Sequence, residues 1–159
     1  MNVISKPSSA FVGASWAALG VGVIAYLLGL YNAPLQLNEK GYYLICLMFG
    51  LYSAVSLQKT VRDKAEGIPV TGVYYNLSWV ALGSSVVLLL IGLWNAEMQL
   101  NEKGFFLMGF TLSLFAAIAV QKNTRDLLAF SLAAPVSEES EFDHLYEEQG
   151  ATTSNIEEK

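Results

Sequence analysis

Charge is scarce in this sequence, and its absence is patterned. Asp, Glu, Lys and Arg make up 14% of the 159 residues, about half the usual share of a soluble domain. Four stretches (residues 7–38, 41–58, 67–96 and 104–121) contain no Asp, Glu, Lys, Arg or His at all. That composition excludes a water-soluble domain. Cysteine occurs once, at Cys46, which rules out an internal disulfide; inside an apolar run it reads as a small packed residue. Histidine also occurs once, at His144, with no Cys or His at ligand spacing, so no metal centre is expected. No nucleophile–base pair, phosphate-binding glycine loop or zinc spacing is present. We therefore expect no enzymatic activity, no cofactor and no nucleic-acid partner.

What the chain has instead is apolar length. A helix rises about 1.5 Å per residue, so roughly 20 apolar residues cross a hydrocarbon core about 30 Å thick. Residues 11–31 and 73–94 reach that length. Residues 42–57 and 105–120 fall short, but Gln58 and Lys59, or Gln121 and Lys122, can snorkel to complete the span. Four transmembrane helices are predicted. An ion-coupled carrier normally keeps an ionisable side chain within the membrane, and none of the four spans has one.

The chain is also written twice. Residues 15–63 reappear without a gap as residues 78–126. Gly-Leu-Tyr-Asn-Ala at 29–33 falls on Gly-Leu-Trp-Asn-Ala at 92–96, and Leu-Asn-Glu-Lys-Gly at 37–41 falls on the same string at 100–104. Ser15-Trp16 matches Ser78-Trp79, and Gln-Lys-x-x-Arg-Asp at 58–63 matches 121–126. Roughly half of the aligned positions are identical, which is a tandem duplication. The first span is thus the counterpart of an internal helix and not a cleaved signal peptide. We predict an all-α, integral membrane four-helix bundle made of two tandem parallel helical hairpins. The retained positions Trp16, Leu19, Gly20, Val23, Leu27 and Leu30 share one helix face with their equivalents, and this face is predicted to record close packing, with Gly20 and Gly83 letting backbones approach. Small residues four apart at Ala18 and Gly22, at Gly50 and Ala54, and at Gly109, Ser113 and Ala117 suit the same purpose.

Orientation follows the Lys and Arg balance of the short loops. Lys6, Lys59, Arg62, Lys64, Lys122 and Arg125 lie on one side, whereas Lys40 and Lys103 each stand beside a Glu on the other. Both termini are therefore expected in the cytoplasm, with the Asn-Glu-Lys-Gly loops on the opposite face. The order is a cytoplasmic segment (1–10), a two-helix membrane repeat (11–63), a cytoplasmic linker (64–72), a second two-helix repeat (73–126) and an acidic cytoplasmic tail (127–159). Most of the net charge of −5 comes from that tail, whose low hydrophobicity predicts disorder.

Two clusters are candidate sites. The first is a basic set at the cytoplasmic end, Lys59, Arg62, Lys64, Lys122 and Arg125, which suits anionic lipid headgroups or a partner. Its plainer explanation is that cations complement helix C-termini and fix orientation. The second is an outer-face rim of Asn38, Glu39, Lys40, Asn101, Glu102 and Lys103. There the plainer explanation is helix capping, with Asn38 and Asn101 as N-caps and each Glu in a first turn. Ser84, Ser85, Thr111 and Ser113 read as packing hydrogen bonders, or as the only polar lining available to a channel.

These paired strings resemble the YiaA/YiaB family of bacterial inner-membrane proteins, whose two-helix unit occurs twice here. The resemblance covers about residues 11–126 and implies a four-span inner-membrane protein of Gram-negative bacteria. It implies no established activity and carries no catalytic or binding residue onto this chain. The expected function is a structural or accessory role, exerted through membrane lipids, a second copy of the chain or another membrane protein, in envelope or stress physiology. A small oligomeric channel or facilitator is the alternative.

Overall fold

The computed structural model describes residues 6–133. The predicted residues 1–5 and the tail from residue 134 onward lie outside the described residues. Four helices follow in order: α1 (Ser9–Asn32), α2 (Leu37–Ala65), α3 (Gly72–Asn95) and α4 (Leu100–Ala133). Each is long and apolar enough to cross a membrane. The all-α architecture is the one the sequence predicts.

The helix ends are written in the sequence. Ser8 caps α1, its Oγ accepting from the Phe11 backbone N–H at 3.3 Å. α1 and α3 close alike, on Ala33 and Ala96 in extended conformation. Asn32 and Asn95 bond the carbonyls of Leu28 and Ile91, four residues back. Pro34 follows the first closure and Glu97 the second, so proline is not what ends the helix.

Two expectations about the second helices need correction. The runs 42–57 and 105–120 are only the apolar middles of helices of 29 and 34 residues. At 1.5 Å per residue these extend roughly 43 and 51 Å, beyond a hydrocarbon core of about 30 Å. The predicted tail also begins too early, because α4 continues through Ala133. The difference lies at one position. Gly67 adopts φ +76° after α2, and the Ile68 N–H reaches the Asp63 carbonyl while the Gly67 N–H reaches that of Lys64. That is a Schellman stop. The duplication puts Phe130 where Gly67 stands, and the second helix has no such stop. Lys122 and Arg125 consequently lie inside a helix and not at its C-terminus, whereas Arg62 and Lys64 do occupy the last turn of α2.

Two compact units are distinguished, one of residues Pro7–Thr124 and one containing Lys6 with Arg125 onward. In the latter, the Lys6 ammonium stands 5.8 Å from the centre of the Phe130 ring.

Within Pro7–Thr124 the helices pair across the repeats. α2 and α3 share an extensive contact, whereas α1 and α2, the two helices of one repeat, touch only lightly. α1 lies instead on α4. A Cβ placed on Gly22 would meet Ser113, one on Gly29 would meet the Phe105 ring, and Gly109 packs beside Tyr26. The equivalent contact recurs between α3 and α2, where Gly92 lies against the rings of Tyr42 and Tyr43. α2 meets α4 through Gly50, which faces Phe110 and Leu114. Tyr43 and Phe106, equivalent residues of the two repeats, stack at 5.7 Å between centroids. The pseudo-two-fold relation thus passes between those rings. Tyr26, Leu47, Leu89, Phe106 and Phe110 fill the interior, and the Tyr26 hydroxyl donates to the Tyr43 carbonyl at 3.0 Å.

The retained face is therefore not the packing seam. Trp16 and Trp79 are 56% and 51% exposed, and nothing lies within 4 Å of a Cβ on Gly20 or Gly83. The buried stripe of α1 is Ser15, Gly22, Tyr26 and Leu30, rotated from the expected one. Sequence identity marked Leu30 and Ser15 but passed over Gly22 and Tyr26, whose equivalents are Ser85 and Leu89. Gly22, Gly50, Ala54, Gly109, Ser113 and Ala117 are buried as expected, whereas Ala18 is only half-buried.

Candidate functional site

Pairing α1 with α4, and α3 with α2, gathers the retained loop strings into two equivalent clefts. One has a volume of about 360 Å³ and is lined by Gly29, Asn32, Ala33, Met98, Asn101, Glu102, Phe105 and Phe106. The other, about 400 Å³, is lined by Asn38, Glu39, Tyr42, Tyr43, Gly92, Asn95 and Ala96. Each cleft takes a helix end from one repeat and a helix start from the other. The two meet back to back, since Tyr43 and Phe106 stack on each other while lining different clefts.

Local structure fixes the polar groups at these mouths. Glu39 Oε2 accepts from the Gln36 backbone N–H at 2.7 Å, and Glu102 Oε2 from that of Gln99 at 2.8 Å. The Gln36 and Gln99 carbonyls in turn accept from Lys40 and Lys103, so the glutamines are the cap residues. Asn38 and Asn101 are not N-caps, as expected above, but second helical residues at the cleft wall. A carboxylate three residues past the cap satisfies an orphan N–H there, and this fixes each glutamate in place. Each carboxylate uses one oxygen for this purpose and keeps the other. Asn32 and Asn95 each use one amide N–H on Leu28 and Ile91, at 2.9 and 2.8 Å, which leaves a carbonyl oxygen and a second N–H. The two rim lysines stand outside both linings. Lys40 folds back, its Nζ donating to the Tyr31 carbonyl at 2.8 Å and lying 5.9 Å from the Tyr31 ring centre.

The basic cluster is engaged at home. Arg62 Nε lies 3.4 Å from Glu66 Oε1, and Lys64 Nζ stands 4.5 Å over the Tyr75 ring. Lys122 and Arg125 are not free either. Lys59 is exposed. Reasoning from sequence found Asn38, Glu39, Asn101 and Glu102 but missed the opposite wall, Gly29, Asn32, Gly92 and Asn95, and the aromatic floor. The identity of the 29–33 and 92–96 strings was the available signal.

Residues 11–63 and 74–126 each match the family described as the yiaA/B two helix domain. The chain is similar to Inner membrane protein YiaA of Escherichia coli (strain K12), with 58% identity over 125 residues, 79% of this chain and 86% of that protein. It is also similar to Uncharacterized membrane protein YubF of Bacillus subtilis (strain 168), with 41% identity over 58 residues, 36% of this chain and 67% of that protein. No solved structure matches the chain.

Proposed function

The chain belongs to the yiaA/B two-helix domain family, and from that premise we propose that it is an accessory protein of the Gram-negative inner membrane, acting by holding a lipid or protein partner and not by catalysis. Its termini and the linker between α2 and α3 face the cytoplasm, as the positive-inside balance indicates. The twin clefts then open at the outer leaflet. One observation carries the reading. The residues kept identical through the duplication, Asn32, Ala33, Asn101 and Glu102 with their equivalents, converge from different repeats on two matching cavities.

The bundle interior adds support, because around Tyr26, Leu47, Leu89, Phe106 and Phe110 it is filled by rings and aliphatic side chains, although Ser15, Ser53, Thr60, Ser78, Ser85, Ser113 and Asn123 are also buried. Ser85 and Ser113 are buried and bonded to carbonyls of their own helices, while Thr111 is exposed on the helix surface. These three hydroxyls are satisfied by carbonyls of their own helices, and Ser84 is half-buried. Reconstitution of the full chain in liposomes tests the reading. Efflux of protons and small solutes should equal that of empty liposomes, and transport by the protein alone would overturn it.

A further inference from the structure

We propose that each cleft binds a primary ammonium group, so that the chain holds two amine-bearing ligands, ethanolamine-type phospholipid headgroups or small soluble amines. This rests on the binding role proposed above and names the chemistry that the clefts select.

In each cleft the one charged lining residue is a carboxylate, and Asn32 with Asn101, or Asn95 with Asn38, adds neutral amides. Glu39 and Glu102 are held by the cap and retain a second carboxylate oxygen. Asn32 and Asn95 each give one amide N–H to a helix carbonyl, which leaves the Oδ1 as an acceptor beside the second N–H. Phe105 and Phe106, or Tyr42 and Tyr43, add aromatic faces, which attract cations. One wall is the C-terminal end of α1 or α3, which carries partial negative charge, and the other is the N-terminal end of α4 or α2, where the full charge of the Glu carboxylate outweighs the opposite partial charge. A ligand complementary to this set brings a positive charge and several donors. A primary ammonium brings three N–H donors.

The molecule contains a precedent for that pairing. The Lys40 ammonium already binds a carbonyl at the end of α1 and lies over the Tyr31 ring, beside the cleft. A metal ion fits less well, since among the described residues no group of three or more His, Cys, Asp or Glu could hold one. Depth favours a lipid source. Tyr31 and Trp94, at the ends of α1 and α3, are 79% and 86% exposed, and aromatic residues of this kind settle at the headgroup level. The volumes, about 360 and 400 Å³, suit a headgroup-sized ligand.

Native mass spectrometry of the full chain ejected from nanodiscs provides the test. Discs would contain phosphatidylglycerol alone, or with either phosphatidylethanolamine or phosphatidylcholine. Up to two phosphatidylethanolamines should be retained per chain. Glu39→Gln or Glu102→Gln alone should leave one, and the double variant should cut occupancy roughly tenfold. Glutamine still caps the helix, so these variants lose charge without losing the helix start, and an unchanged melting temperature confirms this. Phosphatidylcholine, with no N–H donor, should be retained at least tenfold less. Loading of phosphatidylglycerol discs by soluble ethanolamine, without preference for the ethanolamine lipid, assigns the ammonium to a free amine. Retention indifferent to headgroup, or binding of either amine source that is untouched by the double variant, overturns the proposal. It would leave the accessory role standing, since that falls only to the flux result.

Discussion

Gly22 is the residue at which the cross-repeat pairing is most exposed to test. A Cβ added there would lie 2.7 Å from Ser113 Oγ, 3.0 Å from the Ser113 backbone nitrogen and 3.2 Å from its Cα. Ordinary contact between such atoms is about 3.5–4.0 Å. A side chain can rotate away, but the backbone nitrogen and Cα move only if α1 and α4 part by roughly 0.5–1 Å. Overpacking of this kind costs about 1–3 kcal/mol. For a chain of this size each kcal/mol lowers the unfolding midpoint by roughly 2–4 °C, so Gly22→Ala should lose about 2–12 °C. Gly20→Ala is the control, since nothing lies within 4 Å of its Cβ. There alanine gains up to about 1 kcal/mol in helix propensity. The duplication suggests a rescue: the positions equivalent to Gly22 and Ser113 hold Ser85 and Gly50, all buried. Gly22→Ser combined with Ser113→Gly should recover most of what Gly22→Ser loses. Tryptophan-fluorescence melts in nanodiscs read all of these variants. If Gly22→Ala melts with Gly20→Ala, the α1–α4 contact at Gly22 and Ser113 does not exist.

Three further outcomes are expected from the same melts. Tyr26→Phe removes a buried hydrogen bond to the Tyr43 carbonyl and should cost about 1 kcal/mol; no loss would mean that the hydroxyl is satisfied elsewhere. Asn123 is 1% exposed, donates to Ser15 Oγ at 2.7 Å and has a buried Oδ1 with no partner. Asn123→Leu should therefore be close to neutral, whereas Ser15→Ala, which strands the asparagine entirely, should cost about 1–3 kcal/mol; the reverse order would refute the assignment. Gly67→Ala forces a Cβ into the left-handed region at φ +76° and should cost roughly 1–2 kcal/mol, with faster proteolysis of the linker after α2.

Legibility in the sequence followed the kind of signal available. Uncharged runs and the gapless repeat made four helices and their tandem order readable, because hydropathy and length suffice for that. They could not show which helices pair, since a bilayer gives no hydrophobic drive that sequence pattern would record. Packing there depends on small residues meeting large ones across helices. The duplication keeps that match while exchanging the partners, Gly22 for Ser85 and Ser113 for Gly50, so identity between copies overlooked it. Identity did single out Trp16, Trp79, Gly20 and Gly83, which lie on the outside of the bundle. At the clefts the glutamates were visible as first-turn residues. Asn32 and Asn95 join the site only once α1 crosses to α4 and α3 to α2, which is a tertiary fact.

That crossing is the central claim, and a cross-link in intact membranes tests it most directly. In a chain with Cys46 replaced by Ala, cysteines at Ser15 and Asn123 should be bridged within one chain by a short bis-thiosulfonate linker, because the native side chains touch at 2.7 Å. A protease site in the linker between α2 and α3 should then leave the two halves joined. If Ser15→Cys is instead bridged to a cysteine at Thr60, the equivalent position in its own repeat, while Asn123→Cys stays unlinked, the repeats are self-contained hairpins and the shared clefts fall with them.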